Sequence, residues 1–208
     1  MVKISSPYSA SFTAGGFLQD EIKLIVPLLL QENAEELIKD EIVNNRLLHI
    51  NAEISRKRVI AEIRKRFQSV PVAFWKDYLE MDDLNQRVAN YYVIMKTYKL
   101  VFDVHVNVAM KRWHSMNQTV HQSDVLMELS EIASRDPFVD SWSEATRKKI
   151  SSTYILMIHK ARILDRDHNL TVPECTNYEY YLSIGEQWFL EACLLEPYQI
   201  TNIKKRLV

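Results

Sequence analysis

The residue types best suited to acid–base or metal chemistry are not grouped as a catalytic site would require. His105, His114 and His121 are separated by nine and seven residues, which does not place metal ligands on one helix face. Cys175 and Cys193 are 18 residues apart and no Cys-x-x-Cys occurs, so we expect two reduced thiols rather than a disulfide or a zinc site. This spacing predicts no metal site.

Acidic and glycine pairs have simple interpretations in this chain. The acidic pairs at 82–83 and at 165 and 167 fit helix caps and turns better than a two-metal nuclease site. Gly15-Gly16 lacks the lysine and the preceding strand of a phosphate-binding loop, and no nucleotide-binding or serine-hydrolase motif occurs. We therefore predict a protein that is not an enzyme and uses no cofactor, with a metal-dependent nuclease as a further alternative.

Basic side chains, in contrast, are clustered although the net charge is only −1. Residues 20–41 contain seven acids and two lysines, whereas 56–66 contain six basic residues and one acid. Residues 144–162 contain five Lys or Arg and one acid. Local clusters of this kind bind the phosphates of nucleic acids, so double-stranded DNA is the expected partner.

The elements that must position these clusters are helices. The chain of 208 residues has three glycines, and its long segments are rich in Leu, Ile, Glu, Lys and Arg, which favours helices joined by short loops. We predict an all-α, compact multi-helix fold. The polar stretch 115–122 divides it into subdomains 1–114 and 115–208.

The first basic cluster lies in a pattern of two helices, 33–46 and 55–68, which resembles a helix-turn-helix. Ile60, Ile63 and Phe67 form the predicted buried stripe, and the break between the helices is longer than the usual turn. Two interpretations stay open: DNA binding, or a solvated basic face neutralised by the acidic helix before it. The candidate DNA contacts are Arg56, Lys57, Arg58, Arg64 and Lys65.

The second basic cluster lies in 123–172, where helices at 123–134 and 143–162 precede a predicted β-hairpin at 163–172. Helix, helix and hairpin in this order is the plan of a winged helix. Ser143 is the predicted cap of the second helix, whose inner side would carry Ile150, Tyr154 and Met157. The alternative is a basic surface helix beside an ordinary hairpin. The candidate DNA contacts are Thr146, Arg147, Lys148, Lys149 and Arg166.

Two other features exclude competing classes of protein. The longest apolar run, 24–30, has seven residues, whereas a bilayer span needs about 20. No signal peptide is present, so we expect a cytoplasmic protein with no membrane partner and no small-molecule substrate. Rings such as Trp75, Tyr91 and Tyr92 lie at helical spacing among apolar residues, which favours core packing over stacking on bases.

Three segments carry a resemblance to a known family. The first is Y-S-A-S-F-T-A-G-G-F at 8–17, followed by Glu21. The second, 135–149, contains R-D-P, W-S and T-R-K-K in that order. The third is the basic stretch 56–66 leading into 71–75. Together they resemble the BrxA family of type 1 BREX bacteriophage-exclusion systems, over residues 6–172.

The resemblance implies an all-helical protein with helix-turn-helix elements and basic surfaces. It implies DNA binding without enzymatic activity, because chemistry in such systems belongs to separate methyltransferase and ATPase components. It also implies contact with other BREX proteins. An alternative is an adaptor that assembles other defence proteins, with DNA binding incidental.

Overall fold

The computed structural model describes residues 6–175 and 177–207, and within them the chain is all-helical, without a β-sheet. The chain forms two compact units. The inserted unit is Ser11–Thr97, and the main unit combines the segment up to Ala10 with the chain from Tyr98 onward. The predicted all-α fold is confirmed. The predicted subdomains, 1–114 and 115–208, stay a prediction about which parts fold independently.

The inserted unit begins with a 3₁₀ turn at Ser11–Ala14, and its first helix starts at Gln19. The turn at Gly15-Gly16 intervenes, and Leu18 takes up a left-handed conformation with φ 53° just before the helix. The helices of this unit are α1 (Gln19–Leu29), α2 (Ala34–Asn44), α3 (Glu53–Phe67), α4 (Val72–Glu80) and α5 (Asp83–Thr97).

Apolar residues at helical spacing build the core of the inserted unit. Ile60 and Ile63 on α3 are buried as their spacing predicted, while Phe67 is only partly buried. Trp75 is fully buried, stacks on the ring of Phe67 at 5.7 Å and donates its indole N–H to the Phe67 carbonyl at 3.0 Å. Tyr91 is also buried. These rings therefore pack the core, as predicted, and are inaccessible to bases.

A buried arginine fixes the glycine turn of the inserted unit. Arg66, which is 0 % exposed, donates to the carbonyls of Gly16 at 2.6 Å and Phe17 at 2.9 Å, and pairs with Glu62 at 3.1 Å. Gly16 has φ +65°, a conformation that other residues adopt only with strain. The Gly-Gly turn is therefore part of the scaffold and not a phosphate loop.

The main unit begins where the chain leaves α5. Tyr98 breaks the helix with φ −125° and ψ 102°. A continuous helix then contains an α segment, a π-helical segment at His105–Met110 and a second α segment. The helices are α6 (Lys99–Val104), α7 (Lys111–Trp113), α8 (Gln122–Ala133), α9 (Pro137–Asp140), α10 (Glu144–Lys160), α11 (Tyr178–Ser183), α12 (Trp188–Ala192) and α13 (Pro197–Lys205).

The predicted β-hairpin at 163–172 does not form strands, and this part of the winged-helix prediction is wrong. The segment is a tight turn with two isolated antiparallel bridges, Leu164 to Leu170 within it and Asn169 to Thr119 outside it. The Asp165 carboxylate accepts the backbone N–H groups of Asp167 and Asn169, both at 2.8 Å, so the polar tip closes on itself. On the other side, α10 and its C-cap Ala161 directly precede Ile163, so no extended residues are available there for a longer ladder.

His105 connects three helical segments of the main unit. It lies in the π-helical segment, is 0 % exposed, and its Nδ1 is 3.0 Å from the hydroxyl of Tyr154 on α10. Its Nε2 is 2.8 Å from the carbonyl of Ala192 on α12. Since a carbonyl only accepts, Nε2 carries the proton and Nδ1 accepts from the tyrosine. Burial lowers the pKa of His105 to about 4, so the ring is neutral at neutral pH.

No described helix is long and apolar enough to cross a bilayer. Cys175 and Cys193 are both buried thiols. Burial raises the pKa of the Cys193 thiol well above its ordinary value.

The depressed pKa of His105 predicts a pH-dependent stability. The unfolded chain takes up a proton at this histidine near pH 6.5 and the folded chain only near pH 4, so stability is full above this window and falls as the pH drops through it. Between about pH 7.5 and about pH 5 the free energy of unfolding should fall by about 2 kcal/mol from this residue. Urea unfolding followed by circular dichroism measures it. The variant His105→Gln should lack this component, and an equal loss in both proteins would contradict the assignment.

Candidate nucleic-acid interface

Helix α9 precedes the second basic cluster, and hydrogen bonds at its N-terminus fix where it starts. The Asp136 carboxylate accepts the backbone N–H groups of Phe138 and Val139, both at 3.0 Å, and Pro137 occupies the first turn of α9. The hydroxyl of Ser6, from the N-terminal segment, donates to the other Asp136 oxygen at 2.8 Å. The R-D-P sequence at 135–137 therefore starts a short helix and anchors the N-terminal segment to it.

A three-residue turn, 141–143, connects α9 to α10, the helix that carries the second basic cluster. Ser143 is the N-cap, because its hydroxyl accepts the backbone N–H of Thr146 at 3.2 Å, and this predicted cap is confirmed. The Thr146 hydroxyl lies 2.9 Å from the same Ser143 oxygen. Thr146 therefore stabilises the start of α10, and its hydroxyl is already engaged there.

Arg147 fastens α10 to α9. Its Nη2 donates to the carbonyl of Asp140 at 2.9 Å and to that of Val139 at 3.4 Å, and lies 3.3 Å from the Asp140 carboxylate. The side chain is only 21 % exposed. These contacts satisfy carbonyls at the end of α9 that have no partner within the helix. The sequence predicted Arg147 as a DNA contact, but its side chain is engaged with α9. It is therefore not part of the candidate surface.

The outer side of α10 carries a row of exposed or half-buried residues, while Ile150, Tyr154 and Met157 on its inner side are buried, as predicted. Lys148 pairs with Glu144 at 2.6 Å and lowers the pKa of that carboxyl. Lys149 forms no ion pair within the described residues. The row, called the α10 face below, consists of Ala145, Lys148, Lys149, Ser152, Leu156 and Lys160.

The cluster extends beyond the residues chosen from the sequence. Lys160 lies eleven residues after Lys149, which is about three helical turns and hence the same side of α10. Arg162 and Arg166 follow and are exposed. Arg166 sits on the tight turn that Asp165 closes, and hydrogen bonds from Asn169 lower the pKa of the Asp165 carboxyl. The sequence signal that identifies Lys160 is its spacing of eleven residues from Lys149. The hydrogen bonds of the turn could not be predicted individually from the sequence.

The first basic cluster is organised differently, because Arg56 is buried at 5 % exposure. Its guanidinium donates to the carbonyls of Ile42 at 2.7 Å, Ile50 at 2.6 Å and Asn51 at 3.0 Å. The side chain is thus committed to the loop between α2 and α3 and does not reach a ligand. Arg56 was predicted to contact DNA, but in the structure it has a structural role.

The other four predicted cations of α3 lie near the surface, and three of them have partners. Their partners within the inserted unit are Glu53 for Lys57 at 2.6 Å, Glu35 for Arg64 at 2.8 Å and the Ser11 hydroxyl for Lys65 at 3.2 Å. Arg58 is exposed and forms no ion pair within the described residues. With the Arg66–Glu62 pair, three of the six cations of α3 have a carboxylate partner, which supports the solvated-face interpretation for this cluster.

The fold and the surface define a class: an all-helical protein with a candidate anion-binding face on a helix preceded by a short turn. The chain belongs to the BrxA family, whose model matches residues 6–176. No curated protein matches the chain. The fold is similar to a crystal structure of an uncharacterized protein from Magnetospirillum magneticum, with a TM-score of 0.77 and 18 % identity over 90 % of this chain and 98 % of that one.

A matched pair of substitutions distinguishes the scaffold cation from the exposed one. Arg147→Met leaves the carbonyl of Asp140 without its donor and removes the ion pair with the Asp140 carboxylate, so it should lower the free energy of unfolding by about 1–3 kcal/mol. Lys149→Met removes only an exposed charge and should change it by less than about 0.5 kcal/mol. Urea denaturation of both variants measures the difference. Equal losses would show that Arg147 does not hold α9.

Proposed function

We propose that this protein is a non-enzymatic DNA-binding component of a BREX phage-defence system and that its α10 face contacts the phosphates of double-stranded DNA. Its membership of the BrxA family indicates a component of such a system and other BREX proteins as partners. The observation that carries the DNA contact is the row of exposed lysines on α10, of which Lys149 and Lys160 have no counter-ion within the described residues.

The charge and shape of this surface fit a duplex backbone. Lys149 and Lys160 are separated by about 16 Å along the helix axis, and Arg162 and Arg166 continue the basic surface into the turn. The helix is held from behind by its buried face and at its start by Arg147, so the cations are presented on a rigid element. Exposed lysines on a rigid helix bind phosphate through charge and release counterions, which makes affinity fall with salt.

Recognition of particular bases should be weak. Helix α10 contains no Asn or Gln, the residues that read adenine by paired hydrogen bonds, and its arginine is engaged with α9. Ser152 is the only hydroxyl on the α10 face. We infer that the contacts position the protein on DNA and that sequence preference is supplied elsewhere in the defence system.

We also propose that the protein lacks enzymatic activity. Its most reactive side chains are buried or engaged in structural contacts, which supports this proposal. Both ring nitrogens of His105 are engaged with Tyr154 and Ala192. Both cysteine thiols are buried. A plasmid-cleavage assay with added divalent metal should therefore give no product.

A double charge reversal tests the DNA contact. Lys149→Glu with Lys160→Glu should weaken binding to a duplex by at least about tenfold and should make the slope of log affinity against log salt about 2 less steep, because two phosphate contacts are lost. The control, Lys76→Glu with Lys111→Glu, makes the same change of charge at exposed lysines off this face. Mobility-shift titrations at several salt concentrations measure both. Equal weakening of DNA binding by the two double substitutions would contradict the proposal.

A further inference from the structure

Helix α13 lies outside the part of the chain that the family model matches, and its first residues fix it to the main unit. The indole N–H of Trp113, at the end of α7, donates to the Glu196 carboxylate at 2.9 Å. The backbone N–H of Glu196 donates to the side-chain oxygen of Gln199 at 2.7 Å, and Pro197 occupies the first turn of α13. The start of α13 is therefore held at a defined place on the main unit.

One side of α13 is buried and the opposite side is exposed. Ile200 and Ile203 are buried in the main unit. Tyr198, Asn202 and Lys205 are exposed, and their spacing of four and then three residues puts them in one line along the helix. We call these three residues the α13 line. It covers seven residues of helix, which is about 10 Å along the helix axis.

The polar groups of the α13 line are available to a ligand. The Tyr198 side chain is 66 % exposed. Its hydroxyl, the Asn202 amide and the Lys205 ammonium group form no hydrogen bond or ion pair within the described residues. Thr201, which lies beside the line, differs because its hydroxyl donates to the Pro197 carbonyl at 2.9 Å. A hydroxyl, an amide and an ammonium group thus follow one another along the exposed side of α13.

The charge around this line is positive. Helix α13 contains no Asp or Glu, and Lys204, Lys205 and Arg206 stand at its end. Arg206 reaches Glu179 on α11 only at 3.8 Å and stays 74 % exposed. Glu191 and Lys204 line one cleft of about 290 Å³ without an ion pair between them. Both lysines therefore lack a carboxylate within ion-pair distance in the described part of the chain.

The helix dipole explains only part of this arrangement. Cations in the last turn stabilise a helix, because its C-terminus carries a partial negative charge, and this effect accounts for Lys204 and Lys205. It gives no role to Tyr198 or Asn202. Hydroxyl, amide and ammonium side chains together are the groups that contact the phosphates and sugars of DNA.

We therefore propose that the α13 line, with Lys204 beside it, is a second DNA contact of this protein and binds the phosphate backbone of a duplex. Each strand of a duplex carries one phosphate per about 3.4 Å of axis, so a line of about 10 Å corresponds to about three phosphates. Tyr198 and Asn202 would donate neutral hydrogen bonds, and the two lysines would neutralise charge. This inference rests on the proposed binding of DNA by the chain and adds a surface beyond α10.

The chemistry of the line favours DNA over a protein or a membrane. A protein interface has an apolar centre, and a helix that lies in a membrane surface inserts an apolar face. The α13 line has no aliphatic side chain, and the exposed Leu207 lies beyond the end of the helix. A polyanion with acceptor oxygens matches all three members of the line.

Mobility-shift titrations of the full-length chain on one duplex, at several salt concentrations, test this contact. Lys204→Gln with Lys205→Gln should weaken binding about tenfold and make the slope of log affinity against log salt about 2 less steep, because two phosphate contacts are lost. Tyr198→Phe should weaken binding about threefold and leave the slope unchanged, because a neutral hydrogen bond releases no counterion. The control Lys76→Gln with Lys111→Gln removes the same charge at exposed lysines outside α13 and should keep the slope.

Glutamine and lysine have similar helix propensities, so α13 should stay folded in the double variant, and circular dichroism with urea denaturation verifies this. Weakening no greater than in the control, or weakening with an unchanged salt slope, would overturn the α13 contact. Unchanged DNA affinity with lost binding of another BREX protein would make the line a protein surface instead.

The same titrations separate this inference from the function proposed for α10. A wild type that binds no duplex would contradict both surfaces. If only the double reversal on α10 weakens binding, the α13 contact is wrong and the α10 contact stands. If only the α13 variants weaken binding, the α13 contact stands and the α10 contact is wrong.

Discussion

Main-chain carbonyl groups at helix ends must be satisfied, and this chain has few glycines with which to close its helices. With three glycines among 208 residues, it uses arginine at the ends of α2 and α9, and also at the glycine turn before α1. Arg56, Arg66 and Arg147 each donate to at least two carbonyls, and each joins segments that are separate in the sequence. A guanidinium suits this task because it offers five donors in a fixed plane and is more weakly hydrated than an ammonium.

This use of arginine divides the basic residues into two groups with different consequences. Those that hold carbonyls are removed from any ligand, although their charge still appears in the sequence. Those left exposed on α10 are mostly lysines, and they lie on a helix whose start depends on Arg147. The lysine row therefore depends on the scaffold. Its lysines lie on a defined surface because Arg147, which is not part of that surface, holds the start of α10 against α9.

The sequence predicted elements better than it predicted side-chain roles. Helical spacing placed the buried side of α10 correctly, and Ser143 was recognised as its cap because a cap is a local property of a few residues. The predicted hairpin was wrong because two short apolar pieces flanking a polar tip, as in 163–172, are also compatible with a turn that Asp165 closes on itself. Arg56 and Arg147 were assigned to DNA because their carbonyl partners come from loop and helix ends whose positions follow only from the folded chain. Lys160 was not predicted because it lies outside the first turns of α10, and DNA contacts are expected in the first turns of a recognition helix.

We propose that exposed lysines on α10, and not the basic residues as a whole, meet DNA. Lysine acetylation of the full-length protein, measured by mass spectrometry with and without a duplex at low salt, tests this contact directly. DNA should protect Lys149 and Lys160 several-fold and leave Lys76 and Lys111 unchanged, and high salt should abolish the protection. Uniform protection of all exposed lysines, or protection confined to Lys57 and Lys65 on α3, would contradict it.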